Sequence, residues 1–237
     1  MRTWRRAFVA VLASLGLMAG AVLTAPSAAA QSPQELRAAA AAIQEVTADD
    51  GLLTPCVDLV ARVVAVSSPR ALQRLADNGD AGAQALMGSA LEFGVSGFNY
   101  DEAQAARYYE RAAIQGNVLA QYNLGGMYFD GRGVVQDYGL ATSWRELAAE
   151  QGDRMAMRIL GYQYMAGHGV GRDYQLARGY LEPAAALGDG PAALMLGAIY
   201  EEGLGVAPDL RRAVAYYRLA SDLGEPDGQA ALSRLAK

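Results

Sequence analysis

Few residues in this 237-residue chain are of a type that does chemistry, and they stand far apart. His168 is the one histidine, held between Gly167 and Gly169. An imidazole acts as a metal ligand or general base only with partners beside it, and a zinc site takes three or four clustered ligands. The matching place in similar neighbouring segments holds Arg132 and Leu204, so His168 reads as a solvated loop side chain. Cys56 is the one cysteine, which excludes a disulfide within the folded monomer. It is either a reactive or intermolecular thiol, or a small buried residue of the apolar run Pro55-Cys56-Val57-Asp58-Leu59-Val60. Glu201-Glu202 would suit acid–base work, but adjacent helical residues point about 100° apart, which disfavours a matched dyad. Glycine pairs such as Gly131-Arg132-Gly133 follow helical segments instead of strands, so they are not a dinucleotide fingerprint. No Walker loop and no Gly-x-Ser-x-Gly elbow occurs. The residues therefore point away from an enzyme, and no cofactor or metal is expected.

What positions these residues is a repeat. Glycines at 79, 116, 152 and 188 each open a copy of one pattern, 37, 36 and 36 residues apart, and Gly224 opens a truncated fifth. A fixed period in this range marks a helical array whose units bury their apolar faces against their neighbours. Numbered from the opening glycine as zero, position 4 is Ala83, Ala120, Ala156 or Ala192, and position 9 is Gly88, Gly125, Gly161 or Gly197. Position 12 is Leu91, Tyr128, Tyr164 or Tyr200. These share one stripe of a first helix. Glycine inside a helix costs about 1 kcal/mol against alanine, so its recurrence at position 9 implies that a second helix crosses very close. A glycine pair at 15 and 17 then supplies positive φ for the chain reversal, with Ser96 replacing the second glycine in the first copy. Asp101, Asp137, Asp173 and Asp209 are placed to cap a second helix, and Asp101 with Gln104 has the spacing of a capping box. Tyr108, Trp144, Tyr180 and Tyr216, with alanines such as Ala112 and Ala148, are expected on that helix's inner face.

The ends read differently. Arg2, Arg5 and Arg6 precede an uncharged apolar run over 7–23, then Pro26 and Ala28-Ala29-Ala30. That is the layout of a secretory leader cleaved after Ala30, and a periplasmic or secreted location follows. The rival is an uncleaved anchor, although the run is short for a span of about 20 residues. Arg5-Arg6-Ala7-Phe8-Val9 also resembles a twin-arginine signal, with Trp4 where Ser or Thr is usual. Removing the leader takes three arginines and no acid, moving the net charge from −5 to −8. An acidic chain with Lys237 as its one lysine is a poor match for nucleic acid or anionic lipid. Residues 31–78 are expected to hold N-terminal helices and a degenerate capping repeat, the last helix opening at Ser68-Pro69 and closing at Asn78-Gly79. Four repeats follow, at 79–115, 116–151, 152–187 and 188–223, and 224–237 is expected to be a capping helix.

In these copies the chain resembles the Sel-1-like repeat family, relatives of the tetratricopeptide repeats. The residues that carry the likeness are Leu124-Gly125-Gly126-Met127-Tyr128-Phe129-Asp130-Gly131-Arg132-Gly133-Val134 and Ala148-Ala149-Glu150-Gln151-Gly152. Leu160-Gly161 to Gly169-Val170 and Leu196-Gly197 to Gly205-Val206 repeat them. The first copy departs at Leu91 and Ser96. The resemblance implies an all-α superhelical solenoid that binds a protein or peptide, as adaptor, scaffold or regulator. For exported members it implies partners such as a membrane sensor kinase or an envelope or polysaccharide-export complex. The alternative function it implies is cell-wall or β-lactam-type ligand binding or weak hydrolase activity, as in cysteine-rich members, which staple each repeat with a disulfide that this chain does not have. By analogy with tetratricopeptide arrays, positions 3, 6, 10, 13 and 14 line a concave groove. The candidate binding residues are Phe93, Tyr122, Phe129, Asp130, Arg158, Tyr162, Met165, Glu201 and Glu202. The alternative is that Tyr122, Phe129 and Tyr162 only pack between repeats.

Overall fold

The computed structural model describes residues 69–95 and 97–236. The leader, the part of the expected N-terminal helices before Pro69, and Cys56 lie outside the described residues. Within the described residues there are ten α-helices and no strand. They are α1 (Pro69–Asp77), α2 (Ala81–Phe93), α3 (Glu102–Ile114), α4 (Val118–Asp130) and α5 (Tyr138–Glu150), then α6 (Arg154–Ala166), α7 (Tyr174–Ala186), α8 (Gly190–Glu202), α9 (Leu210–Asp222) and α10 (Pro226–Leu235). The chain adopts the expected all-α helical-repeat fold, and none of these helices is long and apolar enough to cross a membrane. Two compact units divide it. One runs to Met127 and includes Gly131–Val135, and the other comprises Tyr128–Asp130 and Gln136 onward. In the first, α2 packs on α1 and α3; in the second, each helix from α5 to α10 packs on the next.

The helix ends follow one scheme. Gly116, Gly152, Gly188 and Gly224 sit at positive φ just past a helix. The residue after each glycine donates its N–H back to the last turn, as in Asn117 to Ala112 O (3.1 Å) and Asp189 to Ala184 O (3.0 Å). That is a Schellman closure. Except at Glu225, which makes no side-chain cap bond, the same residue then caps the next helix with its side chain. Asp80, Asn117, Asp153 and Asp189 accept from the N–H of Ala83, Ala120, Ala156 and Ala192. One Asp or Asn thus closes one helix and opens another, across a link of three residues. The caps expected at Asp101, Asp137, Asp173 and Asp209 are also made. The return arm of the capping box is not, because the Asp101 N–H goes to Leu91 O at 2.9 Å. The same bond joins Asp173 to Tyr164 O and Asp209 to Tyr200 O, both at 2.8 Å. It ties the loop's far end to the first helix of its own repeat.

The glycine at position 9 is explained by a side chain. A Cβ added to Gly88 would lie 2.7 Å from the Tyr109 ring, and one on Gly161 would lie 2.5 Å from Leu181 Cγ. Gly197 faces Tyr217 in the same way. The inner face of the second helix is therefore set one residue beyond the expected aromatics. Tyr109, Arg145, Leu181 and Tyr217 are the buried residues. A step of about 100° per residue turns them, and not their neighbours, towards the first helix. The framework aromatics stand beside position 12: Tyr180 stacks on Tyr164 with centroids 5.9 Å apart, and Tyr216 on Tyr200 at 5.6 Å. The second loop glycine has a double reason. Gly169 and Gly205 are at positive φ, and a Cβ on either would sit 2.7 Å from Tyr138 or Tyr174, at the start of the preceding repeat's second helix.

Two helical glycines should respond in opposite directions. Gly197→Ala pushes into Tyr217 and should lower stability by about 1–3 kcal/mol. Gly179, in α7, has nothing within 4 Å of an added Cβ. Gly179→Ala should raise stability by up to about 1 kcal/mol. Urea unfolding of both variants is the check, and equal shifts would sink the close-approach account.

Candidate binding surface

Each repeat joins its neighbour through a small side-chain set built from position 13, the buried residue of the second helix, and a residue of the following repeat. In the first unit the set is Glu92, Tyr109 and Arg132. The Tyr109 hydroxyl donates to Glu92 Oε2 at 2.7 Å, and Arg132 Nη1 pairs with Glu92 Oε1 at 2.6 Å. Burial, then the Glu92 charge, drives the Tyr109 phenol well above its ordinary range, so it stays a donor. Arg132 is thus an ion-pair partner and not merely a solvated loop residue. In the second unit the first set is Phe129, Arg145 and Gln163. The Arg145 guanidinium lies 4.9 Å over the Phe129 ring, and its Nη1 donates to Gln163 Oε1 at 2.8 Å. The next set is apolar: Met165 and Leu204 pack on the core cluster that contains Leu181. The last is Glu201, Tyr217 and Arg234. Tyr217 donates to Glu201 at 2.7 Å, and Arg234 grips both carboxylate oxygens at 2.6 and 2.7 Å.

Several of the nine expected groove residues thus have internal work. Phe129, already under Arg145, also meets the edge of Tyr138 at 5.1 Å. Arg158 Nε bonds to Asp189 Oδ2 at 3.1 Å, steadying the residue that caps α8. Met165 and Glu201 belong to the sets above. Phe93 and Tyr162 are 45% and 43% exposed, large for aromatic rings on a helix. Tyr122 is half-buried, and Asp130 and Glu202 are exposed. Arg158, Tyr162 and Met165 lie along one face of α6, by their four- and three-residue spacing. The Tyr162 ring meets the His168 imidazole edge-on at 5.5 Å. Within the described residues no three His, Cys, Asp or Glu gather as a metal site.

The sets were not foreseen from sequence, yet a signal existed. Position 13 and the buried second-helix residue read Glu–Tyr, Phe–Arg, Met–Leu and Glu–Tyr down the copies, changing together. The column after each opening glycine, Asp80, Asn117, Asp153 and Asp189, likewise announced a cap.

Residues 81–117, 118–153, 154–189 and 190–225 match the family model described as Sel1 repeat. These segments begin where α2, α4, α6 and α8 begin, two residues after the opening glycines. Among solved structures, a Sel1 repeat protein from Oxalobacter formigenes is similar at a TM-score of 0.63 and 34% identity, over 69% of this chain and 68% of that one. A protective antigen present in uropathogenic Escherichia coli strains, displaying an SLR fold, is similar at a TM-score of 0.67 and 26% identity. That likeness covers 85% of this chain and 49% of the antigen, so the chain spans about half of its length. No curated protein matches the chain.

The last set has a pH signature. Hydrogen bonds from Arg234, then Tyr217, hold the Glu201 carboxyl below its ordinary 4.5. A carboxyl with a lowered folded-state pKa adds stability above its unfolded value and loses it as the pH falls through the folded one. Arg234→Ala should therefore lower the melting temperature at neutral pH, with the deficit closing in acid below about pH 4. Melts of parent and variant across pH test this, and a deficit that persisted in acid would overturn it.

Proposed function

The chain belongs to the Sel1 repeat family, and from that membership we propose that it is an exported adaptor that holds another protein at the bacterial envelope. Repeats of this family generally carry protein–protein interaction, and no catalytic constellation was found in the sequence. The observation that best supports the reading is Tyr162. It is a large ring left 43% exposed on α6, with His168 against its edge and Arg158 held by Asp189 one turn away. A ring braced in this way is an interface anchor with little rotamer freedom left to lose. Phe93 is a second exposed ring of the same kind in the first unit. The leader layout, with Arg2, Arg5 and Arg6 before the apolar run, supports export. A membrane sensor kinase or a polysaccharide-export complex is the partner class that fits an exported adaptor.

Cross-linking in intact cells of the source bacterium, followed by mass spectrometry, should recover one dominant envelope protein. Tyr162→Ala should cut that product at least about ten-fold, as loss of a hot-spot ring does, while leaving the melting temperature near that of the parent. Recovery of no partner, or of the same amount from the variant, would refute the Tyr162 surface. Cell fractionation gives the separate check on export, with the protein expected outside the cytoplasm.

A further inference from the structure

The third and fourth repeats carry the same side-chain set 36 residues apart, and they differ in their cations and in which phenol bonds to the acid. In the fourth, Tyr200 and Tyr216 stack at 5.6 Å, and the Tyr200 hydroxyl donates to Glu182 at 3.2 Å. Two guanidiniums serve this group. Arg212 lies over the Tyr200 ring, 5.2 Å from its centroid, and its Nη1 donates to the Tyr200 oxygen at 3.2 Å. Arg178 pairs with Glu182 at 3.3 Å. In the third repeat, Tyr164 and Tyr180 stack at 5.9 Å, and Tyr180 donates to Glu146 at 3.4 Å. The places of Arg212 and Arg178 are taken by Leu176 and Thr142. The acids remain, the cations do not, and Leu176 is 47% exposed. Tyr200 is buried beneath its arginine, whereas Tyr164 is only half-buried.

The charges tell the same story. Arg212 and Arg178 both pull the Tyr216 phenol down against burial and Glu182. No cation opposes the rise at the third repeat. Burial, then Glu146, raises Tyr164, and burial, then Glu146, pushes Tyr180 up to about 12. A face of stacked rings with an unbalanced carboxylate attracts a flat cation, and a guanidinium suits both the ring and the carboxylate.

We propose that Tyr164, Tyr180 and Glu146 form a receptor for a guanidinium, an arginine side chain of the protein partner, which lies over Tyr164 as Arg212 lies over Tyr200. This rests on the reading that the partner is a protein, and it names one side chain that partner presents. The chain's own fourth repeat is the template for the complex.

The test uses the purified protein with tyrosine rings isotope-labelled, titrated with N-acetyl-arginine methylamide and, in parallel, N-acetyl-lysine methylamide. The arginine probe should shift the Tyr164 and Tyr180 signals saturably in the millimolar range, and the lysine probe should bind more weakly. Leu176→Arg copies the fourth repeat and should weaken the probe about ten-fold, by competition from a tethered guanidinium. Arg212→Leu should add a second responding pair, Tyr200 and Tyr216. No saturable arginine shift, equal response to lysine, or an unchanged titration in Leu176→Arg would each overturn the proposal. Because the probe is a small molecule, its result stands apart from the cross-linking. A failed cross-link with a positive titration removes the partner reading and leaves the site, and the reverse removes the site alone.

Discussion

A large side chain seated on a helical glycine sets the spacing of this fold. At Gly88, Gly161 and Gly197 the second helix brings Tyr109, Leu181 or Tyr217 against the backbone of the first, closer than any Cβ would allow. Burying an aromatic ring or a leucine offsets the roughly 1 kcal/mol that each glycine costs its helix. With that distance set, the alanines at position 4 and on the second helix follow, because nothing larger fits between backbones so near. Ala83, Ala120, Ala156 and Ala192 are all 2% exposed or less. The step from one repeat to the next is held by a second close approach, the loop glycines Gly169 and Gly205 against Tyr138 and Tyr174. Glycine is therefore used for space at positions 9 and 17 and for positive φ at positions 0, 15 and 17, with Ser96 standing at position 17 of the first copy.

This framework is nearly the same in every copy, the first departing at Leu91 and Ser96, so it does little to tell one repeat from another. The junction sets say more, although the first and last share the Glu–Tyr–Arg arrangement. A buried carboxylate held by a phenol and a guanidinium, an arginine over a phenylalanine, and an apolar trio are mutually incompatible. Exchanging partners between them would strand Glu92 without Arg132, or bury Arg145 against Leu181 and Met165. Removing one partner from a buried charged group costs several kcal/mol, about 3–5 in measured pairs. The sets thus contribute to order as well as to cohesion, a role distinct from that of the uniform glycines and caps.

The fold was legible in the sequence because its demands are local and recur. A period of 36 residues, glycines at two kinds of position and an aspartate before each second helix are visible without knowing what packs on what. The tertiary placement was less so. The inner face of the second helix lies one residue beyond the recurring aromatics Tyr108, Trp144, Tyr180 and Tyr216, because the residues that meet the first helix, Tyr109, Arg145, Leu181 and Tyr217, vary in type and leave no recurring column. Phe129, Arg158 and Glu201 occupy groove positions by counting, but their partners Arg145, Asp189 and Arg234 come from elsewhere in the chain. Spacing along one helix shows a direction, and only the neighbouring helix shows whether that direction is already taken.

The choice of cation ties the interior to the surface. Every basic residue except Lys237 is an arginine. The structure puts them to uses a lysine serves poorly: over a ring at Phe129 and Tyr200, two-pronged on the Glu201 carboxylate, and donating from the guanidinium edge while over a ring. A planar guanidinium keeps its donors in its own plane while its face covers the aromatic, whereas an ammonium must give up one contact for the other. A chain whose own tyrosines and glutamates are arranged to hold arginine presents that same arrangement wherever a repeat lacks the arginine. In the third repeat Leu176 and Thr142 replace both guanidiniums while Tyr164, Tyr180 and Glu146 are kept. Internal repetition thereby turns a stabilising contact in one copy into a surface of defined chemistry in the next, at the cost of two substitutions and no change in backbone.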